Sequence, residues 1–275
     1  MSNKQRLSYF LIYTALAFYS VISLYPVYLI VVNSFKDRRA LFLSPYGLPN
    51  PLSFEGYGTV FARADFLTFF RNSAVVTLTS IALVLLLGTM LAFALEQYQF
   101  PGNRWLFVYF ILAIIIPNRL GTVSMIGVMQ FFGLQGTVWA LVAVYTAYGI
   151  PIALYILSNF VRAVPNDLIS AARIDGASDY RILFRIIAPL LRPAMVSVSI
   201  FIMLPIWNDL WFPLVLANEE SSRTITLGVS MFVGQFSTDW AALLSSLSLA
   251  IVPILILYLI LSRQLLSGLS DGAVK

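Results

Sequence analysis

The stretch AVVTLTSIALVLLLGTMLAFAL, residues 74–95, contains no charged side chain and decides the fold class. About 20 consecutive apolar residues in a helix are enough to cross the hydrocarbon core of a bilayer. Only a helix or a closed barrel satisfies its own backbone groups in lipid. Apolar runs of similar length recur on both sides of it, so we predict six transmembrane helices, at residues 7–32, 74–95, 105–129, 138–161, 194–216 and 241–261.

The composition agrees with a chain that lies mostly in lipid. Hydrophobic residues make up 60% of the 275 residues, charged residues 11%, and the mean hydropathy is +0.87. Six spans and their loops use the whole length, which leaves no room for a separate soluble domain. We therefore predict an all-α polytopic membrane protein with a single transmembrane domain over residues 1–275.

The residue types that are missing exclude several classes of function. The chain has no Cys and no His, which removes thiolate and imidazole metal sites and His-based catalytic triads. It has no Gly-Lys dipeptide for a phosphate-binding loop. The basic residues are spread among loops, which argues against a nucleic-acid partner. We predict no enzyme activity, no catalytic residue and no metal or cofactor bound by this chain.

Two features interrupt the apolar pattern near predicted helix ends. With six spans, these ends lie on the side of the membrane opposite both termini. Pro117, Asn118 and Arg119 break the third predicted span, which predicts a kinked or shifted helix. A charge at the bilayer centre costs about 2.5 to 3.5 kcal/mol, so an outer interface is the favoured place for Arg119 and a solute pathway the alternative. The stretch IWNDLWFPL, residues 206–214, predicts either an interfacial aromatic belt or a polar solute pathway built from Trp207, Asn208, Asp209 and Trp211.

The distribution of basic residues predicts the orientation. Six spans place both termini on one side, and that side carries ten of the 17 Lys and Arg residues. Most of the other seven lie in the long first loop, so the short loops are strongly asymmetric. The positive-inside rule therefore places both termini in the cytoplasm.

The stretch ISAARIDGASDYRILFRIIAPLL, residues 169–191, lies in the cytoplasmic loop 163–190. Pro165 fits the first position of a helix, and Gly176 fits its C-terminal end in a left-handed conformation. Ser178 fits the N-cap of a second helix. An apolar stripe follows, which Pro189 is predicted to end: Ile182, Leu183, Ile186 and Ile187.

Such a helix pair could lie on the membrane surface or project into a protein cleft. An amphipathic cytoplasmic segment often lies at the lipid interface. However, the residues around the glycine are small and cover little lipid while allowing a close backbone approach. They are Ala171, Ala172, Gly176 and Ala177. Because the chain has no energy source of its own, the loop favours coupling to a separate motor protein.

This loop resembles the Glu-Ala-Ala loop of permease subunits of bacterial ABC importers, whose pattern is E-A-A, three residues, G, nine residues, I-x-L-P. Ala171, Ala172, Gly176, Ile186 and Pro189 match it in register, whereas Ser170 replaces the Glu and Ala188 the Leu. The chain is most similar to carbohydrate importers, of the maltose-importer type of second permease subunit. Further similar stretches are FFRNSAVVT, LAFALEQYQFPGNRWL, WNDLWFPL and SGLSDGAVK, at residues 69–77, 91–106, 207–214 and 267–275.

The resemblance implies a type I ABC importer permease fold in the bacterial inner membrane. It implies a second permease subunit, two ATPase subunits that bind ATP and Mg, an extracytoplasmic solute-binding protein that meets the loop 217–240, and membrane lipid around the spans. The residues implied to contact the ATPase are Ser170, Ala171, Ala172, Arg173, Asp175, Gly176 and Ala177. The expected cargo is a sugar or oligosaccharide. The alternative cargo is a polyol or glycerol phosphate. The alternative class of protein, which the sequence favours less, is a self-contained channel or secondary carrier.

Overall fold

The computed structural model describes residues 3–234 and 237–272, and helices dominate them. Residues 1–2, 235–236 and 273–275 lie outside the described residues, and with them parts of the predicted loop 217–240 and of the similar stretch 267–275. The helices are α1 (Asn3–Asn33), α2 (Arg38–Leu43), α3 (Glu55–Arg63), α4 (Phe66–Gln97), α5 (Asn103–Ile115), α6 (Thr122–Phe131), α7 (Val138–Arg162), α8 (Asn166–Ile174), α9 (Asp179–Ile182), α10 (Ala188–Leu190), α11 (Arg192–Asn208), α12 (Trp211–Leu216), α13 (Ile225–Ser230) and α14 (Trp240–Gly272).

The chain divides into two compact units, and the first comprises residues 1–66 and 228–252. The Tyr57 hydroxyl lies 2.7 Å from the hydroxyl of Ser34, and Ser245 donates to the Ser34 carbonyl oxygen. Lys36 is buried and donates from Nζ to Asn33 Oδ1 and to the Ser44 carbonyl oxygen, each at 2.7 Å. Burial lowers the pKa of this ammonium. These polar contacts organise the long first loop.

The second unit, residues 67–227 and 253–275, contains the main apolar core. Within this unit α4 and α7 pack closely, because small residues allow the two helices to approach. A methyl group placed on Gly149 would lie 2.5 Å from Val84 Cγ2, and one placed on Gly88 would lie 2.6 Å from Ala153 Cβ. Gly149 and Ala153 are four residues apart, the spacing of small residues that lets membrane helices pack closely.

Four described helices are long and apolar enough to cross a membrane: Leu7–Asn33, Phe66–Gln97, Val138–Arg162 and Trp240–Ile260. The segments Asp179–Leu190 and Arg192–Asn208 meet at a 75° bend and would add a fifth if counted as one span. The helices α5 and α6 have only 13 and 10 residues. Six separate spans therefore stay a prediction.

The third predicted span, 105–129, is not one continuous helix. Helix α5 ends because Pro117 disfavours a helical conformation at the preceding Ile116, which is extended with ψ of 124°. The break frees backbone carbonyls, and side chains satisfy two of them. Tyr148 donates to the Asn118 carbonyl oxygen, and Thr122 donates to that of Arg119 at 2.7 Å. The expected irregularity at Pro117 is confirmed, and it is a break rather than a kink.

The fifth predicted span, 194–216, is also divided. Helix α11 ends at Asn208, and Asp209 is extended with ψ of 132°. The Asp209 carboxylate accepts hydrogen bonds from the backbone N–H groups of Trp211 and Phe212, both at 3.1 Å. Asp209 thus caps the start of α12, which is why the helix restarts there.

Candidate functional site

The loop predicted to contact the ATPase folds as two helices around Gly176, residues 166–182, called here the α8–α9 corner. Gly176 has a φ of +76°, the left-handed conformation expected for it. Its N–H donates to the Arg173 carbonyl oxygen, and the N–H of Ala177 donates to that of Ala172. These two bonds form a Schellman motif, which fixes the direction in which the chain leaves α8.

The second arm of the corner begins at Ser178, as predicted. The Ser178 hydroxyl accepts from the backbone N–H of Arg181, and helix α9 follows. Pro189 does not end this segment, contrary to the expectation. Residues Leu183–Ile187 form a π-helical turn, and Ala188 donates to the Leu183 carbonyl oxygen. The wider turn accommodates a proline that has no N–H to donate, and the chain bends only at Leu191.

The apolar sides of the corner and of the π-helical turn that follows it pack on the protein core. Ile182 and Ile187 are completely buried, and Ile169 and Leu183 nearly so. All four belong to the core cluster of the second unit. The apolar stripe is therefore covered by protein, which removes the main reason for this segment to lie on a lipid surface.

The predicted ATPase-contacting residues divide into an exposed set and a supporting pair. Ala172 and Ala177 are half-buried and pack against the core cluster. Ile174, between them, is 85% exposed. The remaining predicted contacts are exposed: Ser170, Ala171, Arg173, Asp175 and Gly176. The corner thus has a buried base and an exposed surface that includes the small residues Ser170, Ala171 and Gly176.

The charges of the corner form an ion pair between its two arms. Arg173 Nη2 lies 3.3 Å from Asp179 Oδ1, so the ion pair crosses the corner from α8 to α9. The Asp179 carboxylate, followed by burial, raises the pKa of Tyr98, just beyond α4, above its usual value.

Sequence reasoning missed the polar contacts at this end of α4. Arg162 at the end of α7 donates two hydrogen bonds to the Glu96 carboxylate. Arg162 Nε lies 3.0 Å from Glu96 Oε2, and Arg162 Nη2 lies 2.6 Å from Glu96 Oε1. The Asn103 amide donates to the carbonyl oxygens of Leu95 and Tyr98, at 2.9 and 2.7 Å. Glu96 and Arg162 are far apart in sequence, so no local pattern indicates their pairing.

A cavity of about 580 Å³ lies within the second unit, between the α5–α6 break, α7 and α11. Its polar lining includes Asn118, Arg119, Tyr145, Tyr148 and Asp209. The Arg119 guanidinium stacks on the Trp211 ring, 5.4 Å from its centroid. The Trp211 indole N–H in turn donates to Thr122 Oγ1 at 3.1 Å. Arg119 therefore lines a cavity as well as lying at a helix break.

The four residues predicted for a solute pathway do not form one surface. Asp209 lines the cavity, where its carboxylate also accepts from the Tyr145 hydroxyl at 2.8 Å. Trp207 is buried edge-to-face against Phe70. Asn208 is exposed, and its amide donates to the carbonyl oxygen of Leu204 in its own helix. Trp211 contacts the cavity only indirectly, because its ring stacks against the cavity-lining Arg119 guanidinium.

The long apolar helices indicate a multi-pass membrane protein. Residues 84–270 match the family described as "Binding-protein-dependent transport system inner membrane component". The chain belongs to this family.

Curated relatives extend the match to nearly the whole chain. The diacetylchitobiose uptake system permease protein NgcG of Streptomyces coelicolor is 31% identical over 94% of this chain and 87% of its own length. The probable starch degradation products transport system permease protein AmyC of Thermoanaerobacterium thermosulfurigenes is 30% identical over 93% of both chains. The chain is therefore a permease subunit of an ABC transporter, and not itself an enzyme.

The fold has a solved counterpart in a bacterial ABC transporter that imports the acidic polysaccharide alginate. The TM-score is 0.79 at 20% identity, and the match covers 96% of this chain and 98% of that one. The similarity confirms the expected permease fold.

Proposed function

We propose that this chain forms one half of the translocation pathway of an ATP-driven importer for sugars or oligosaccharides. The α8–α9 corner is the single observation that carries the proposal. It has an exposed small-residue surface, a left-handed glycine and a buried apolar base, which suit a knob that fits a cleft of a motor protein. The names of the relatives, with diacetylchitobiose and starch degradation products as cargo, support the sugar class.

The proposed assembly contains four further components. A second permease subunit completes the pathway, two ATPase subunits bind ATP and Mg, and a solute-binding protein delivers the sugar from outside. The family description, which specifies dependence on a binding protein, supports the last of these. The exposed residues of the corner provide the contact to the ATPase: Ser170, Ala171, Arg173, Asp175 and Gly176.

Co-purification tests this assembly. The tagged chain, extracted in mild detergent from the membranes of its native host, should bring with it a second permease and an ATPase in fixed ratio. Uptake by the purified assembly should require ATP and the binding protein. A homogeneous single-subunit assembly that transports without ATP would contradict the proposal. Uptake of a polyol or glycerol phosphate in place of sugars would contradict the proposed sugar cargo.

The proposed orientation places the corner and both termini in the cytoplasm. The chain has no Cys, so a single Ile174→Cys substitution creates a unique label site on an 85% exposed position. We expect a membrane-impermeant maleimide to label it only in inside-out vesicles, and more slowly when the ATPase subunits are present.

A Leu43→Cys variant in the long first loop is the matched control, because Leu43 is 74% exposed. It should be labelled only from the opposite side. Labelling of both variants from the same side would refute the proposed orientation.

A further inference from the structure

Both divided helices border the same cavity. The break between α5 and α6 brings Asn118 and Arg119 to its wall, and the break between α11 and α12 brings Asp209 there. Backbone that leaves a helix inside a membrane is tolerated where it is buried in protein or lines a cavity. Such discontinuous helices form the solute sites of many transporters. The volume of about 580 Å³ also lies within the usual range for small-molecule sites, roughly 300 to 1,000 Å³.

Side chains join the two breaks to each other. The Arg119 guanidinium lies over the Trp211 ring at the start of α12, 5.4 Å from the ring centroid. The Trp211 indole N–H donates to Thr122 Oγ1, in the first turn of α6, at 3.1 Å. The Thr122 hydroxyl donates in turn to the Arg119 carbonyl oxygen at 2.7 Å. Arg119 is therefore held at the cavity wall through both its backbone and the face of its guanidinium.

This contact leaves the hydrogen-bond donors of Arg119 unused. A guanidinium has five N–H donors, and within residues 3–234 and 237–272 no acceptor takes a hydrogen bond from that of Arg119. The nearby Asp209 carboxylate is already engaged by the Tyr145 hydroxyl at 2.8 Å and by the backbone N–H groups of Trp211 and Phe212, both at 3.1 Å. The cavity thus offers free donors to a solute that carries acceptor oxygens.

We propose that Arg119 is a solute-binding residue of this permease, which donates hydrogen bonds to hydroxyl oxygens of a neutral sugar in this cavity. The inference rests on the proposed function and deepens it. Arg119 and Asp209 are the charged side chains of the described lining, and their formal charges cancel. A neutral sugar keeps that balance, whereas an acidic one would bring in an uncompensated charge.

The rest of the cavity wall suits a sugar ring. Small-molecule sites are mostly apolar and aromatic, with a few polar groups that fix the orientation of the ligand. Most of the lining here is apolar, and it includes three aromatic rings that can cover the C–H face of a sugar: Tyr148, Phe201 and Phe212. Arg119 then provides the directional contact that such a surface lacks.

Protection of a single cysteine tests sugar binding in the cavity directly. Ala147 is exposed and lines the cavity, and the chain has no Cys, so Ala147→Cys gives this chain one thiol at the site. The probe is whichever of diacetylchitobiose and the maltooligosaccharides the unaltered assembly accumulates. Without ATP and without the binding protein, this sugar should slow modification of the thiol by a small water-soluble methanethiosulfonate. Ile174→Cys, on the α8–α9 corner, should react at the same rate with and without sugar.

Arg119→Gln in the Ala147→Cys chain should raise the sugar concentration that gives half-protection by about tenfold or more, the usual strength of hydrogen bonds to a charged group. Arg119→Lys retains the charge but not the planar set of donors and should give an intermediate value. Arg104→Gln removes an exposed arginine near the other end of α5 and should leave half-protection unchanged. An equal labelling rate without sugar in all these variants shows that the cavity is intact.

The outcomes distinguish this inference from the proposed function. If the unaltered assembly accumulates no sugar with ATP, the proposed function fails. If it does, and the sugar does not protect Ala147→Cys, the cavity is not a sugar site and only the inference fails. Half-protection at the same sugar concentration with and without Arg119 would overturn the role of Arg119, and accumulation of acidic sugars alone would overturn the neutral class.

Discussion

Replacing Gly176 with valine is expected to lower ATP-driven sugar uptake by about tenfold while the chain still inserts and the ATPase remains active. Gly176 has a φ of +76°, where a non-glycine residue is strained by roughly 1 to 2 kcal/mol and a β-branched one by more. An equilibrium penalty of about 1.4 kcal/mol is tenfold in the population of the competent corner. Uptake and ATP hydrolysis in proteoliposomes measure the effect.

The matched control is Gly176→Asn. No atom lies within 4 Å of a Cβ built on Gly176, so added volume meets nothing inside the chain. Asparagine tolerates the left-handed region, so this variant should keep most of the uptake. Equal losses in both variants would show that side-chain volume at the docking surface, and not backbone conformation, is what matters. Normal uptake by Gly176→Val would show that the corner is not the coupling element.

Substituting Gly149 with alanine is expected to destabilise the core of the second unit by about 1 to 3 kcal/mol, the usual cost of overpacking. The added methyl would lie 2.5 Å from Val84 Cγ2, so α4 and α7 must move apart. The loss should appear as a lower midpoint temperature of thermal aggregation in detergent, measured by size-exclusion chromatography.

Two further variants identify the cause of that loss. Gly127→Ala also places alanine within a helix, but nothing lies within 4 Å of the new methyl, so stability should be unchanged or slightly higher. Adding Val84→Ala to Gly149→Ala removes the two methyl groups that clash and should recover part of the loss. Failure of this second-site change to recover any stability would contradict the close α4–α7 crossing.

Local signals in the sequence were sufficient to predict the α8–α9 corner. A glycine after a short helix, a serine two residues later and an apolar stripe each act over a few residues, so their consequences do not depend on distant parts of the chain. Gly176 and Ser178 accordingly adopt the predicted roles. Pro189 was misjudged because a proline ends a regular helix, and the π-helical turn before it has no signature of that kind.

The divided helices and the polar contacts between helices could not be predicted by counting apolar residues along the sequence. Hydropathy merges α5 with α6 and α11 with α12, because breaks at Pro117 and Asp209 remove few apolar residues. The cap role of Asp209 was missed, although an Asp directly before an apolar run is a known N-terminal signal. The pairing of Glu96 with Arg162 depends on tertiary packing, which one sequence does not display.

The most direct test of the account is uptake of radiolabelled oligosaccharides by proteoliposomes that contain the complete assembly, with and without ATP inside. The account predicts accumulation that requires ATP and the binding protein, and that falls about tenfold with Gly176→Val while ATP hydrolysis continues. Accumulation without ATP, or ATP-driven uptake that is indifferent to Gly176→Val, would contradict the claim that a separate motor drives this permease through the α8–α9 corner.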